Sequence, residues 1–447
     1  MSTDAAALRP AYPLAPPGPP VRLRHDPITG ERYYSPAFAR AEWEHMWTRI
    51  WHIGGLMAEL EEPGDYVVHD FLRESVIIVR QPDGAIKAFH NACRHRGNQL
   101  VQGQAGSVPH GFACPYHGWR YGLDGLVRQA QDPENFARGN PCGKVGLKEI
   151  PCASWGGFAW YSMDPAAPAL ADYLAPIPAL LASRGIEQMT RVLWTTTPVN
   201  TNWKFAPDNF NESYHLPTVH PQMQQIVDED YRNTVFEMHP AGHNRMIEQG
   251  QPSLRATHPN EVEPAWEDML RAWDLDPADF AGRSRDGRLA LQRQKRRLGP
   301  ARGHAHFASL HDDELTDYFH HTLFPNVTLT ATCDGLHLYR TEPDPRDPEW
   351  CTFDYWYFVP PVAGRHEVQT IFGARPFAPA AHETFTYGQG AGSAHPLGNF
   401  LDQDLAVAVS QQNGFHSRGY QDAYLSDQED RIRRFHEVLN DYLEGRR

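Results

Sequence analysis

"NACRHRGNQL", residues 91–100, sets Cys93 and His95 two positions apart with Gly97 just beyond, in a chain of only six cysteines. Such a pair either packs idly or helps to hold a metal, and a metal needs a second pair. "GFACPYHGW", residues 111–119, supplies it with Cys114 and His117, with 18 residues between His95 and Cys114. The surroundings of both pairs read as short strands. "DYVVHDF", "SVIIVR" and "AIKAFHN" are β-branched runs, with "QPDG" as the turn between the last two. "RYGLDG" and "GGFAWYSM" continue the pattern, so residues 51–163 are predicted to form a small all-β domain with both pairs on its turns.

Cys₂His₂ is also a zinc ligand set, but zinc fingers commonly place two cysteines together and two histidines together on a ββα unit. Here each half mixes one Cys with one His. Mixed halves suit a two-iron cluster in which one iron takes both thiolates and the other both imidazoles. That is the Rieske [2Fe–2S] arrangement, whose potentials run from roughly −150 to +300 mV. Gly97 and Gly118 would let backbone amides approach the sulfides, and Pro115 would stiffen the second loop.

Such a cluster moves one electron at a time, so the chemistry is expected elsewhere. "NWKFAPDNFNESYHLPTVH", residues 202–220, is the candidate. A helix is predicted at about 202–216, with Glu212 and His215 (i,i+3) on one face. His215 and His220 lie about 140° apart on an unbroken helix. Pro217 pushes Leu216 out of the α region, so the helix is expected to stop there and let His220 return beside His215. Two imidazoles and one carboxylate form the facial triad of non-haem Fe(II) oxygenases. With 24 histidines in the chain, a chance pair is the competing explanation.

Length and composition frame these sites. At 447 residues and 41% hydrophobic, the chain can bury a large core in two or three domains. A formal charge of −14 disfavours nucleic acid as a partner. No apolar run reaches a membrane span, and the start has no secretory pattern. Six unframed cysteines suit a reducing cytoplasm. Residues 1–33 form a Pro-rich arm, residues 34–50 an amphipathic helix of the larger domain, and residues 164–447 the rest of that domain. There "RVLWTTTPVN", "NVTLTATC", "LHLYRTEP", "WCTFDYWYFVP" and "HEVQTIFGARP" are strand-like. The chain ends in a helix with Ile432, Phe435, Val438, Leu439 and Tyr442 on one side. The basic run at 283–302 is expected to be a solvated helix, with docking of an acidic electron donor as the alternative. "YGQGAGSAHP" has glycines but no strand–helix context and is read as a loop.

Together, "CRH…CPYHGW", "NWKFAPDNFNESYHLPTVH", "FPN" at 324–326 and "DQDLAVAVSQQNGFHSRGY" resemble the catalytic α subunit of Rieske non-haem iron ring-hydroxylating oxygenases. The resemblance covers about residues 40–445. It implies an α+β fold: an all-β Rieske domain inserted near the start of a helix-grip (START-like) catalytic domain with an antiparallel sheet. By position, Cys93, His95, Cys114 and His117 would hold the cluster, and His215 and His220 the mononuclear Fe(II). Asp404, eight residues before Gln412, would be the third iron ligand, with Asp402 as the alternative. Glu212 would link an iron-ligand His to a cluster His of the neighbouring subunit, and Asp208 and Asn209 are further candidate catalytic residues. Phe205, Phe210, Leu323 and Phe324 are candidate walls of an apolar substrate pocket.

The resemblance also implies O₂ as co-substrate and NAD(P)H as an indirect electron source. No dinucleotide-binding fingerprint or plant-type ferredoxin spacing is present, so a reductase and optionally a ferredoxin would deliver the electrons. A homotrimer, or an α3β3 assembly with a small β subunit, is implied, with a small apolar organic substrate. The spacing Asn209-Phe210-Asn211-Glu212 departs from naphthalene-type members and is more like quaternary-amine and monooxygenase relatives. Single hydroxylation, cis-dihydroxylation and demethylation therefore all stay open. The reading from another class is a non-enzymatic metal or iron–sulfur redox protein.

Overall fold

The protein is described by a computed structural model over residues 11–387 and 400–447. Of the glycine-rich stretch expected to be a loop, all but Tyr387 lies outside the described residues. The chain divides into two compact units. One runs from Arg40 to Tyr173, and the other comprises the chain on either side of it, up to Ala39 and from Leu174.

These boundaries differ from the expected 51–163. The amphipathic segment forms a helix at Pro36–Glu42 that passes into a π turn at Trp43–Trp47. Met46 and Trp47 are fully buried, and Trp47 packs on Phe71 with ring centroids 5.0 Å apart. The end of this helix therefore belongs to the β unit. At the other end, the Trp51 indole N–H donates to the Pro168 carbonyl at 3.0 Å, which keeps the stretch after Met163 with it.

The smaller unit is all-β, as the alternating runs predict. It holds a five-stranded sheet in the order Ala105–Ser107, Asp65–Phe71, Glu74–Arg80, Ile86–His90, Glu149–Ile150, and two three-stranded sheets. The Cys93 loop follows Ile86–His90, and the Cys114 loop joins Phe112–Ala113 to Arg120–Tyr121. Both cysteines sit in one buried cluster with Phe89, Phe112, Trp119 and Tyr121.

The larger unit is built on an eight-stranded sheet, making the fold α+β. Its order begins Val235–Met238, Asn244–Glu248, Tyr318–Leu323, Val327–Ala331, Leu336–Pro343, Cys351–Val359, all antiparallel, and ends with Thr190–Val199 and Glu383–Thr384. The helix Asp430–Leu443 buries Ile432, Phe435, Val438, Leu439 and Tyr442, the face its periodicity predicts. The arm is tied down at its end rather than loose. Arg32 donates to the Asn440 side chain at 2.7 Å, and Tyr33 stacks on Phe415 at 4.0 Å.

The basic run departs from the solvated helix expected of it. The helix Gly287–Leu298 and its flanks are largely neutralised from within. Arg285 pairs with Asp228 at 2.7 Å, Arg288 with Asp313 at 2.6 Å, Arg296 with Asp312 at 2.9 Å and Arg302 with Asp274 at 2.6 Å. Lys295 is buried.

Candidate metal centres

The two Cys/His loops share one backbone design. Cys93 N–H donates to Asn98 O and Gly97 N–H to Cys93 O, both at 2.8 Å; Cys114 N–H donates to Trp119 O at 2.8 Å and Gly118 N–H to Cys114 O at 3.0 Å. Each loop thus bonds from its cysteine to position i+5 and from i+4 back to the cysteine. Gly97 and Gly118 occupy the same place at φ +78° and +68°, a left-handed conformation that glycine adopts without penalty. The loops bring the His95 and His117 rings to 4.6 Å.

Both thiols are buried, and burial pushes the Cys93 thiol above its ordinary value, with Cys114 close enough to add to the effect. Tyr121 Oη lies 3.1 Å from Cys93 Sγ and accepts the Arg94 N–H at 3.1 Å. Trp119 lies flat on His95 at 5.0 Å. His95 Nδ1 is buried with no hydrogen-bond partner among the described residues. Unpaired buried polar atoms are uncommon and call for a partner such as an ion. Two adjacent thiols, two adjacent imidazoles and that orphaned nitrogen fit a metal cluster.

The second centre forms differently from the sequence expectation. The predicted helix at 202–216 ends at Phe210, and a separate short helix spans Leu216–Val219. Pro217 does not stop a helix; it sits in the first turn of this second one, where its missing N–H costs nothing. Glu212 and His215 consequently meet across a turn and not on a helix face. His215 and His220 flank the short helix as its caps, with ring centroids 5.3 Å apart.

Asp404, on the helix Phe400–Phe415, completes the group. Its Oδ1 lies 2.7 Å from His220 Nε2 and 3.7 Å from His215 Nε2, and one ligand atom from each residue lies within 4.8 Å of the others. The remaining ring nitrogens are committed. His215 Nδ1–H donates to Glu212 Oε1 at 2.7 Å, and His220 Nδ1–H to Gln403 Oε1 at 2.8 Å. These bonds fix the tautomers that leave both Nε2 atoms as acceptors for a metal. Burial disfavours charge on His215, but Glu212 and Asp404 outweigh it and push the ring up to about 9. Without a metal the site therefore draws in positive charge. Gln412 anchors the Asp404 helix by accepting the Asn202 N–H at 3.0 Å and donating to Glu349 at 3.0 Å.

The three ligands open on a cavity of ≈ 340 Å³. Phe210 and Asn209 line it; Phe205, Leu323 and Phe324 do not. Phe324 stacks on Tyr442 at 5.5 Å, and Phe205 and Leu323 are buried in the core. Their apolar character reflects packing, which composition could not separate from a pocket wall. Asp208 also turns away, toward Tyr33 Oη at 2.7 Å and His436 Nε2 at 3.0 Å, which removes it from the catalytic candidates.

Sequence reasoning missed the actual wall. His337 faces Tyr357 and Tyr339 faces Tyr355 across neighbouring strands. Their rings stack at 4.3 Å and 5.1 Å, and Phe210 stacks on Tyr339 at 4.4 Å. The signal was the two-residue spacing of rings in "LHLY" and "YWY", which puts them on one sheet face. Burial pushes His337 down to about 3, so this wall is uncharged. Gln403 was also missed.

Comparison with known proteins follows the same division. Residues 186–445 match the model of the ring hydroxylating alpha subunit (catalytic domain), and residues 50–151 that of the Rieske [2Fe-2S] domain. The carnitine monooxygenase oxygenase subunit of Escherichia coli (strain K12) is 33% identical over 191 residues, covering 42% of this chain and 50% of that protein. The match thus spans half of that relative's length. The glycine betaine monooxygenase oxygenase subunit of Chromohalobacter salexigens is 28% identical over 344 residues, 71% of this chain and 73% of that one. A crystal structure of a quaternary ammonium Rieske monooxygenase superposes with a TM-score of 0.64 at 19% identity, covering 93% of this chain and 95% of that one. At that identity the likeness establishes the fold.

Proposed function

This chain belongs to the ring-hydroxylating α-subunit family, and from that premise we propose that it is a terminal oxygenase component. It would hydroxylate an aromatic or other apolar cyclic substrate, by mono- or dioxygenation, using O₂ and electrons relayed from NAD(P)H through partner proteins. The observation that carries this reading is the convergence of His215 Nε2, His220 Nε2 and Asp404 Oδ1 on the wall of a cavity.

Cys93, His95, Cys114 and His117 would hold a [2Fe–2S] cluster, and His215, His220 and Asp404 a mononuclear Fe(II). When bound, the cluster supplies single electrons and the iron, with open positions, supplies O₂ activation. The chain's own residues prepare for this. Glu212 holds the Nδ1 proton of His215, and Gln403 that of His220, so each ring is fixed in rotation and in tautomer. Asp404 Oδ1 and His220 Nε2, 2.7 Å apart, are both acceptors in this state and would both be offered to a metal. The rings of Phe210, Tyr339, Tyr355, His337 and Tyr357 give a flat apolar face against which a substrate lies.

Both oxygens of Glu212 are used by His215, Oε1 by the ring and Oε2 by the backbone N–H at 3.0 Å. Each has a second lone pair, which leaves capacity for the inter-subunit link to a cluster histidine. A reductase, optionally a ferredoxin, and a trimeric assembly with or without a β subunit complete this reading. No described helix is long and apolar enough to cross a membrane. None of the six cysteines is disulfide-bonded, which suits a cytoplasmic setting.

A second reading, oxygenation of a quaternary amine, is supported by the relatives bearing that activity in their names and by the tyrosine-rich wall, which suits a cation–π contact. Metal analysis with EPR of the reduced protein tests both. A Rieske signal and one iron beyond the cluster are expected, and zinc alone would sink the oxygenase reading. A product screen with a reconstituted donor chain then separates the two substrates.

A further inference from the structure

The aromatic wall has two ends. Phe210 marks the end at His215, His220 and Asp404. Tyr357 marks the other, where its ring packs against Gly335 in the turn that carries Cys333 and Asp334. Lys295 lines the cavity with Thr332, Cys333 and Asp334. It comes from the helix Gly287–Leu298 and is the one basic residue of the 283–302 run that is buried, 3% exposed.

Its surroundings are unlike those of its neighbours in that run. Arg285, Arg288, Arg296 and Arg302 each hold a carboxylate. Lys295 Nζ instead donates to the Leu315 carbonyl at 2.7 Å and to Cys333 Sγ at 3.1 Å, and it makes no salt bridge among the described residues. The negative charges acting on it are indirect. Asp334 is reached through the thiol, whose S–H donates to its Oδ2 at 3.4 Å, and Asp317 is already held by Arg288. Burial opposes the charge on Lys295, but Cys333 beside it, with Asp334 and Asp317 farther off, keeps its ammonium above the ordinary lysine value. Nζ also lies 5.7 Å from the centre of the Trp273 ring, but of its three N–H groups only two have a hydrogen-bond acceptor among the described residues, and no carboxylate touches it.

We propose that Lys295 is the anchor for a carboxylate on the substrate, which lies along the aromatic wall with its reacting carbon at the His215/His220/Asp404 end. This rests on the oxygenase reading for the identity of that end. It adds the substrate class: an organic acid with an apolar body, in place of a neutral hydrocarbon. The anchor fixes which carbon faces the metal ligands, because one end of the molecule is pinned.

The test is calorimetric titration of the purified holoprotein with 3-phenylpropionate, its primary amide, and a phenethyl-trimethylammonium salt. The acid should bind at least about tenfold more tightly than the amide, and Lys295→Met should weaken the acid by about 10- to 100-fold while leaving the amide unchanged. Lys295→Arg should keep part of the preference. Thermal melts of each variant separate misfolding from lost binding, with Lys295→Gln as the milder substitution. The proposal is overturned if the acid does not bind, if the amide binds as well in the wild type, or if Lys295→Met keeps the preference. It is also overturned if the ammonium salt binds best and Asp334→Asn abolishes that. Iron content and EPR on the same samples report on the oxygenase reading separately, since the titration needs no turnover.

Discussion

Tyr121 Oη lies 3.1 Å from Cys93 Sγ and is itself fed by the Arg94 N–H. A thiolate holding a cluster can only accept, so the single Tyr121 proton would be directed at the sulfur. Hydrogen bonds to cluster sulfurs stabilise the more negative, reduced state and so raise the potential. Tyr121→Phe should keep the cluster and its colour but lower its potential. One such bond contributes about 1–1.5 kcal/mol, or about 40–65 mV for one electron at 59 mV per tenfold. Redox titration followed by EPR measures this, and an unchanged potential would refute the assignment of the proton to sulfur.

Asp402 and Asp404 stand two apart on one helix, and Asp404 is the one within reach of both histidines. Asp404→Ala should lose the mononuclear iron and keep the cluster spectrum. Asp402→Ala should keep both. Iron analysis against the visible spectrum decides, and the opposite pattern would reverse the choice of ligand.

Gln403 accepts from His220 Nδ1 and from Gln222 Nε2, both at 2.8 Å. Gln403→Leu keeps the volume and removes the acceptor, so His220 loses its fixed tautomer. The expected cost is about 10- to 100-fold in Fe(II) affinity, read by titrating metal into chelated protein. Gln403→Glu, which restores an acceptor, should recover much of it. Equal affinity in all three would leave Gln403 without a role at the centre.

Arg184 and Glu314 form a pair in the larger unit, 2.8 Å apart with side chains 2% and 1% exposed. Burial raises the Glu314 carboxyl, but Arg184, His311 and Ser183 together carry it below the ordinary 4.5. A depressed carboxyl adds stability above its unfolded value and loses it as pH falls through the folded one. Urea unfolding should therefore show stability dropping below about pH 4.5, and Glu314→Gln should flatten that acid limb. At neutral pH the variant should lose about 3–5 kcal/mol, because Arg184 is left buried without its partner. An unaltered acid limb would mean that other carboxylates govern it.

Much of the fold could be read from local pattern. The β-branched runs, the mixed Cys/His pairs and the face of the final helix all depend on neighbours within a few residues. The failures came where distant contacts decide. Nothing near Pro217 announces that it begins a helix and does not end one; that follows from how the turn at Asn211–Tyr214 lays Glu212 on His215. Phe324 and Phe210 are equally apolar in sequence, yet Phe324 meets Tyr442 and Phe210 meets Tyr339. Lys295 looked like one more charge in a basic run, because the aspartates that satisfy its neighbours lie in other segments.

The insertion of one unit inside the other has a consequence for the order of synthesis. Residues 40–173 leave the ribosome as an unbroken stretch, so the cluster-bearing unit has all its strands before most of the larger sheet exists. The segment before it must wait. His25 N–H pairs with Glu437 at 2.8 Å, Asp26 with Asn440 at 2.8 Å, and Tyr33 with Phe415, all made last. The larger unit is therefore closed by contacts between two segments that synthesis separates by the whole of the inserted unit.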